Sequence, residues 1–85
     1  MDFVTAQNFS DMIQAKKTWY NENGDKVITP MTVANAEQAY TMAQRVFHAK
    51  PEAYVVSLDY LDNGGFVTRV ASKEKMLFKI EHHTS

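Results

Sequence analysis

Two Asn-Gly dipeptides, at 23–24 and 63–64, constrain this chain more than any other feature, because each reverses it between residues of strand-forming type. A type I′ turn needs φ > 0 at both central residues, and Asn-Gly supplies that at least steric cost. In TWYNENGDKVIT (18–29) the turn predicts a hairpin with Tyr20 opposite Val27 and Trp19 opposite Ile28. Glu22 would then face Asp25, which is less favourable, so a four-residue loop ending at Asp25 is the alternative. Pro30 cannot donate to a ladder and is expected to end the second strand.

The second reversal, DNGG at 62–65, lies between AYVVSLDYL and FVTRVAS. A glycine loop that cradles phosphate leads from a strand into a helix, whose N-terminus supplies the amide donors. FVTRVAS is rich in β-branched residues and has no helical period, so DNGG is read as a hairpin turn. Centring it on Asn63-Gly64 sets Leu61 against Phe66, Asp59 against Thr68 and Ser57 against Val70. One face then carries Tyr54, Val56, Leu58, Tyr60, Val67 and Ala71. The other carries Val55, Leu61, Phe66 and Val70 around Ser57, Asp59 and Thr68. A solvated antiparallel face is normally polar, so the second face calls for cover, by a short N-terminal helix or by a partner. Val55, Leu61, Phe66, Thr68 and Val70 are accordingly the candidate partner-binding residues. A slip of one residue would exchange these faces.

The clearest helix spans 33–49, where Ala36, Ala39, Tyr40, Ala43, Val46 and Phe47 form one stripe. Thr32 or Asn35 can cap it and Pro51 bars its continuation. FSDMIQAKKTW (9–19) predicts a shorter helix, capped by Asn8 or Ser10, with Phe9, Met12, Ile13 and Lys16 on one face. MLFKIEHH (76–83) alternates Met76, Phe78 and Ile80 against Leu77, Lys79 and Glu81, which reads as an edge strand. A helix capped by Ser72 is the alternative there. The expected fold is α+β: a short N-terminal helix, a hairpin, a long helix 33–49 and a three-stranded meander. The long helix would pack across an antiparallel sheet of about five strands.

Eighty-five residues make one domain, 1–85. A chain this short buries only about 60–65% of its unfolded surface, so association with a copy of itself or another protein would add useful burial. A net charge of −1 argues against a dedicated DNA binder and against a nucleic-acid mimic. Without cysteine there is no disulfide, thiolate metal site or thiol nucleophile. No apolar run approaches the ~20 residues of a membrane span, and MDFVTAQNFSDM lacks the basic start of a signal peptide. A cytoplasmic protein with no membrane partner is expected.

Catalytic chemistry finds little support. His82 and His83 are adjacent, so on a strand they point to opposite faces and do not share an ion, and His48 falls on the polar side of the long helix. Ser57 and Asp59 share a face but have no histidine nearby to complete a nucleophilic set. No catalytic, cofactor-binding or metal residue is therefore assigned. The expected function is a non-enzymatic protein-binding domain, a regulator, adaptor or inhibitor of a larger protein, with self-association through the apolar sheet face. The alternative is RNA or single-stranded DNA stacked on Tyr54, Tyr60 and Phe66 near Arg69, Lys73 and Lys75, although GGFVTRVA does not match the aromatic-basic RNA-recognition strand.

Overall fold

The computed structural model describes residues 12–84. Strands β1 (Ile13–Tyr20) and β2 (Lys26–Val33) form a hairpin, helix α1 (Ala36–Ala49) crosses over, and β3 (Val55–Tyr60), β4 (Phe66–Ala71) and β5 (Met76–His82) form a meander. The five strands make one antiparallel sheet in the order β2-β1-β5-β4-β3. The expected α+β architecture, a long helix across a five-stranded antiparallel sheet, is the one found. The pairing of β5 with β1 joins hairpin to meander, with Lys17 opposite Ile80 and Trp19 opposite Phe78.

Local chemistry sets the bounds of α1. The Asn35 side chain accepts from the Gln38 N–H at 2.7 Å, while Gln38 reaches back to accept from the Ala34 N–H at 2.6 Å. Two donors at the helix start are thereby satisfied reciprocally. At the other end the Lys50 N–H donates to the Val46 carbonyl at 3.1 Å, and Pro51 follows. The helix begins at Ala36 rather than at 33 because Thr32 and Val33 pair with Gln14 and Ile13 of β1. Ala36, Ala39 and Ala43 are buried, and their small side chains let α1 settle close over β3, β4 and β5. Beneath it lie Val33, Phe66, Val70, Leu77, Phe78 and Ile80, with Val46, Phe47, Val56 and Leu58 packed at the margin.

Simple alternation fails at one place in β5. Phe78 faces Val70 and Met76 faces Ala71, so Leu77 is an extra residue in the ladder. Such a bulge opposes two residues to one and rotates the strand locally. Leu77 and Phe78 are both buried as a result, where strict alternation assigned them to opposite faces.

Three local expectations are corrected. The helix read over 9–19 does not hold from Ile13 onward, because that stretch is β1; positions 9–11 lie outside the described residues. Pairing on both sides, with β2 and with β5, outweighs a weak helical pattern. Pro30 does not end β2, which continues to Val33. The Asn21 N–H donates to the Asp25 carbonyl, so counting by twos makes Ala15/Met31 and Lys17/Thr29 bonded pairs and leaves Lys16/Pro30 between them. The imide nitrogen of Pro30 therefore faces away from β1, the side of an outer strand where proline is tolerated.

The third correction concerns register. Both reversals use three-residue loops, in which the N–H of Gly24 donates to Asn21 and that of Gly64 to Leu61, each glycine having positive φ (83° and 91°). This is a type I turn followed by a bulged glycine. The Asn-Gly pair thus occupies the last two loop positions and not the centre of a two-residue turn. Tyr20 faces Lys26 and Tyr60 faces Phe66, each one residue from the expected partner. In the first loop the Asn21 carboxamide enforces the choice by accepting from the N–H groups of Asn23 (2.9 Å) and Asp25 (3.0 Å).

Thr68, in the middle of β4, is fully buried and donates its hydroxyl to the Ser57 carbonyl at 2.7 Å. Thr68→Val keeps the shape and removes that bond, so a loss of about 1 kcal/mol is expected, read as a lower urea midpoint at unchanged slope.

Candidate protein interface

The register slip decides what the second hairpin offers. Phe66, Thr68 and Val70 share a face with Val56, Leu58 and Tyr60, and that face lies under α1. All three are buried and have no surface to present to a partner. Leu61 is half-buried at the head of the turn, and Val55 alone of the five candidates is well exposed. The structure therefore does not bring the candidates together on one surface. The face of the sheet away from α1 instead carries Val55, Ser57 and Asp59 of β3, Val67 and Arg69 of β4, Lys79 and Glu81 of β5, and Lys16, Thr18 and Tyr20 of β1, with Val67 and Thr18 buried.

That face is ordered by charge. Asp59 and Arg69 lie 3.5 Å apart near the β3 edge, both well exposed. Deeper in, Glu81 sits between Lys79 (3.1 Å) and His83 (2.8 Å). Burial pushes the Glu81 carboxyl up, but hydrogen bonds from His83 and Lys79 and their positive charges outweigh it, so its pKa falls below the ordinary 4.5. A lowered folded pKa means the native state binds the carboxylate form preferentially. The resulting stability is complete above about pH 4.5 and is lost as the pH falls through the folded carboxyl's titration. Glu81→Gln is expected to flatten the acid limb of stability between about pH 5 and pH 3, measured as urea midpoints across that range.

The two sheet edges differ in kind. β2 carries Lys26 and Pro30, both of which discourage a further strand. β3 is VVSLDY, with neither lysine nor proline. The Leu61 N–H donates to Gly65, so bonded pairs recur at Asp59/Val67 and Ser57/Arg69. The Thr68 bond to the Ser57 carbonyl requires that carbonyl to point into the sheet, in agreement. The backbone groups of Val56, Leu58 and Tyr60 consequently point outward. Three of the four exposed large hydrophobic residues among those described flank this edge, Tyr54 (65%), Val55 (47%) and Tyr60 (64%); the fourth is Ile28 on β2.

Tyr60 reaches up to α1, where its hydroxyl donates to Glu37 at 3.0 Å. That bond raises the phenol pKa, because it and the adjacent carboxylate disfavour phenolate. Tyr54 lies under the Lys73 ammonium, 5.0 Å from its ring centroid. The aromatic trio considered for nucleic acid is thus dispersed: Tyr54 and Tyr60 mark opposite ends of β3, and Phe66 is in the core. Sequence reading missed Tyr54 and Tyr60 as edge residues because alternation gives a residue's face and not its strand's place in the sheet, and both lie at the ends of an outer strand. The contrast between Pro30 in one outer strand and an unguarded VVSLDY in another was the available signal.

The histidines are spread out. His48 edges onto Phe47 on α1, His82 bonds the Gln14 carbonyl at 2.7 Å and His83 bonds Glu81. Among the described residues no three His, Asp or Glu side chains group to hold a metal ion. Among the same residues no helix is long and apolar enough to cross a membrane. No family model, curated protein or solved structure matches this chain.

Proposed function

We propose that the chain is a non-enzymatic protein-binding domain, a regulator, adaptor or inhibitor of a larger protein, and that its partner docks on β3. The supporting observation is the asymmetry of the edges: β2 carries Pro30 and Lys26, whereas β3 presents the outward backbone of Val56, Leu58 and Tyr60 beside exposed Tyr54, Val55 and Tyr60. An unguarded edge is a template for strand addition, in which main-chain hydrogen bonds give affinity and flanking side chains give selectivity. A partner segment of extended, partly apolar character fits that surface.

The test is amide hydrogen exchange with a captured partner, alongside the variant Val55→Lys/Tyr60→Lys. Both positions are exposed, but Tyr60→Lys also removes the hydrogen bond to Glu37, so the fold of the variant is first confirmed by circular dichroism. The wild-type complex should protect the amides of Val56, Leu58 and Tyr60, and the lysine variant should bind at least about tenfold more weakly. Equal binding by the variant, with those amides still exchanging freely, would remove β3 from the interface.

A further inference from the structure

We infer that a second copy of this chain docks on β3 in antiparallel fashion, with a two-fold axis at Leu58 joining two five-stranded sheets into one of ten. The inference rests on the reading of β3 as the docking strand and names its occupant.

Self-complementarity of β3 carries it. Only registers that set the outward groups of Val56, Leu58 and Tyr60 against their counterparts can form a bonded ladder. An axis at Asp59 would place two Asp59 carboxylates face to face, which is repulsive. An axis at Ser57 would set Asp59 against the exposed Val55 of the second copy. With the axis at Leu58, Val55 meets Leu61, Val56 meets Tyr60, Leu58 meets itself and Ser57 meets Asp59. Within residues 55–61 each apolar side chain then has an apolar partner and each polar one a polar partner, while Tyr54 falls beside Asp62.

Charge follows the same pattern. Ser57 lies beside Arg69 in the sheet, and Arg69 is 3.5 Å from its own Asp59. In the pair, Asp59 of one copy stands across the small Ser57 from Arg69 of the other, two strand spacings or about 10 Å between backbones. An arginine side chain spans most of that gap, so each carboxylate lies between two guanidinium groups. Sterics permit the arrangement. α1 lies over β4 with β3 and β5 at its flanks, and the two β4 strands would be three spacings apart, about 14 Å. Helices pack at about 8–10 Å, so the two copies of α1 clear one another. Six residues a side make a small interface, below the roughly 1,200 Å² of stable complexes. A weak, reversible dimer is expected, and a larger target would have to displace it.

The chain has no cysteine, so introduced thiols report on the pairing directly. Ser57 and Asp59 of the two copies form a non-hydrogen-bonded pair with Cα atoms about 4.5 Å apart, within disulfide range. Like positions, Ser57 with Ser57 or Asp59 with Asp59, are about 8 Å apart and out of range. Ser57→Cys and Asp59→Cys are prepared separately, confirmed as folded by circular dichroism, and incubated alone and mixed in a glutathione redox buffer. The mixture is expected to yield disulfide-linked heterodimer at about ten times the level of either variant alone. Equal linkage in the single-variant samples would overturn the register, and no linkage in any sample would overturn the dimer. The hydrogen-exchange test on a captured partner is read independently, so failure of the dimer and failure of β3 as a docking strand are told apart.

Discussion

Phe66→Asp is expected to leave the chain unfolded at room temperature. Phe66 opens β4, is only 2% exposed and belongs to the cluster under α1, with the His82 ring 5.8 Å from its own. Removing a buried phenylalanine costs about 3–5 kcal/mol from lost burial and cavity formation. A carboxylate left there without a cationic partner adds about 3 kcal/mol or forces uptake of a proton. At about 0.05–0.15 kcal/mol per residue, a chain of this length has roughly 4–13 kcal/mol to lose. The summed cost, about 6–8 kcal/mol, exceeds the lower end of that range and is roughly half or more of its upper end. Far-UV circular dichroism and amide dispersion in NMR check the outcome, with Phe66→Leu as a folded control expected to lose about 1.5 kcal/mol. A folded Phe66→Asp protein of near-native stability would show that Phe66 faces solvent.

Gly65→Ala should produce the second large effect, from one added methyl group. A Cβ at Gly65 would lie 2.1 Å from the His82 carbonyl oxygen and 3.2 Å from its carbon, both backbone atoms of β5. Neither can swing aside as a side chain would, so β4 and β5 must separate where their ladder begins. The same spot is tied to the chain end: the Asn63 side chain accepts from the Gly65 N–H at 3.0 Å and donates to the Thr84 carbonyl at 3.2 Å, while the Thr84 hydroxyl donates to the Asn63 carbonyl. A loss of about 3 kcal/mol is expected, the upper range for overpacking. For a domain of this size that lowers Tm by roughly 12–24 °C. Gly24→Ala is the comparison, because nothing lies within 4 Å of its added Cβ. Only the left-handed conformation is strained there, at about 1 kcal/mol. Similar losses for the two variants would mean that the approach of β4 to His82 is looser than the geometry indicates.

Gly65 also shows why the candidate site was only partly legible. Phe66, Thr68 and Val70 were correctly read as one alternating set, and the structure keeps them together. Their direction was inverted because it hung on a single residue of turn length. Asn-Gly fits both the middle of a two-residue turn and the end of a three-residue loop. What separates the two in the second hairpin is contact with β5 and Thr84, residues distant in sequence. Val55 lies on the face away from α1, which the alternation of its own strand alone requires, whereas Tyr60 depends on Glu37 of α1 to hold it at the rim.

The sequence by itself determined the elements whose signals are local. Asn35 and Pro51 bound α1, its alanine stripe picks the face that meets the sheet, and the two Asn-Gly pairs locate the reversals. Those effects act over a few residues through hydrogen bonds and steric limits that no distant contact needs to complete. Tertiary structure alone decided that β5 lies between β1 and β4 and not at the edge expected of it, that the hairpin registers slip by one, and that β3 is an outer strand among the described residues. Both faces of the second hairpin are apolar enough to be buried, so composition could not choose between them. Burial under α1 and the close passage of Gly65 beside His82 made the choice.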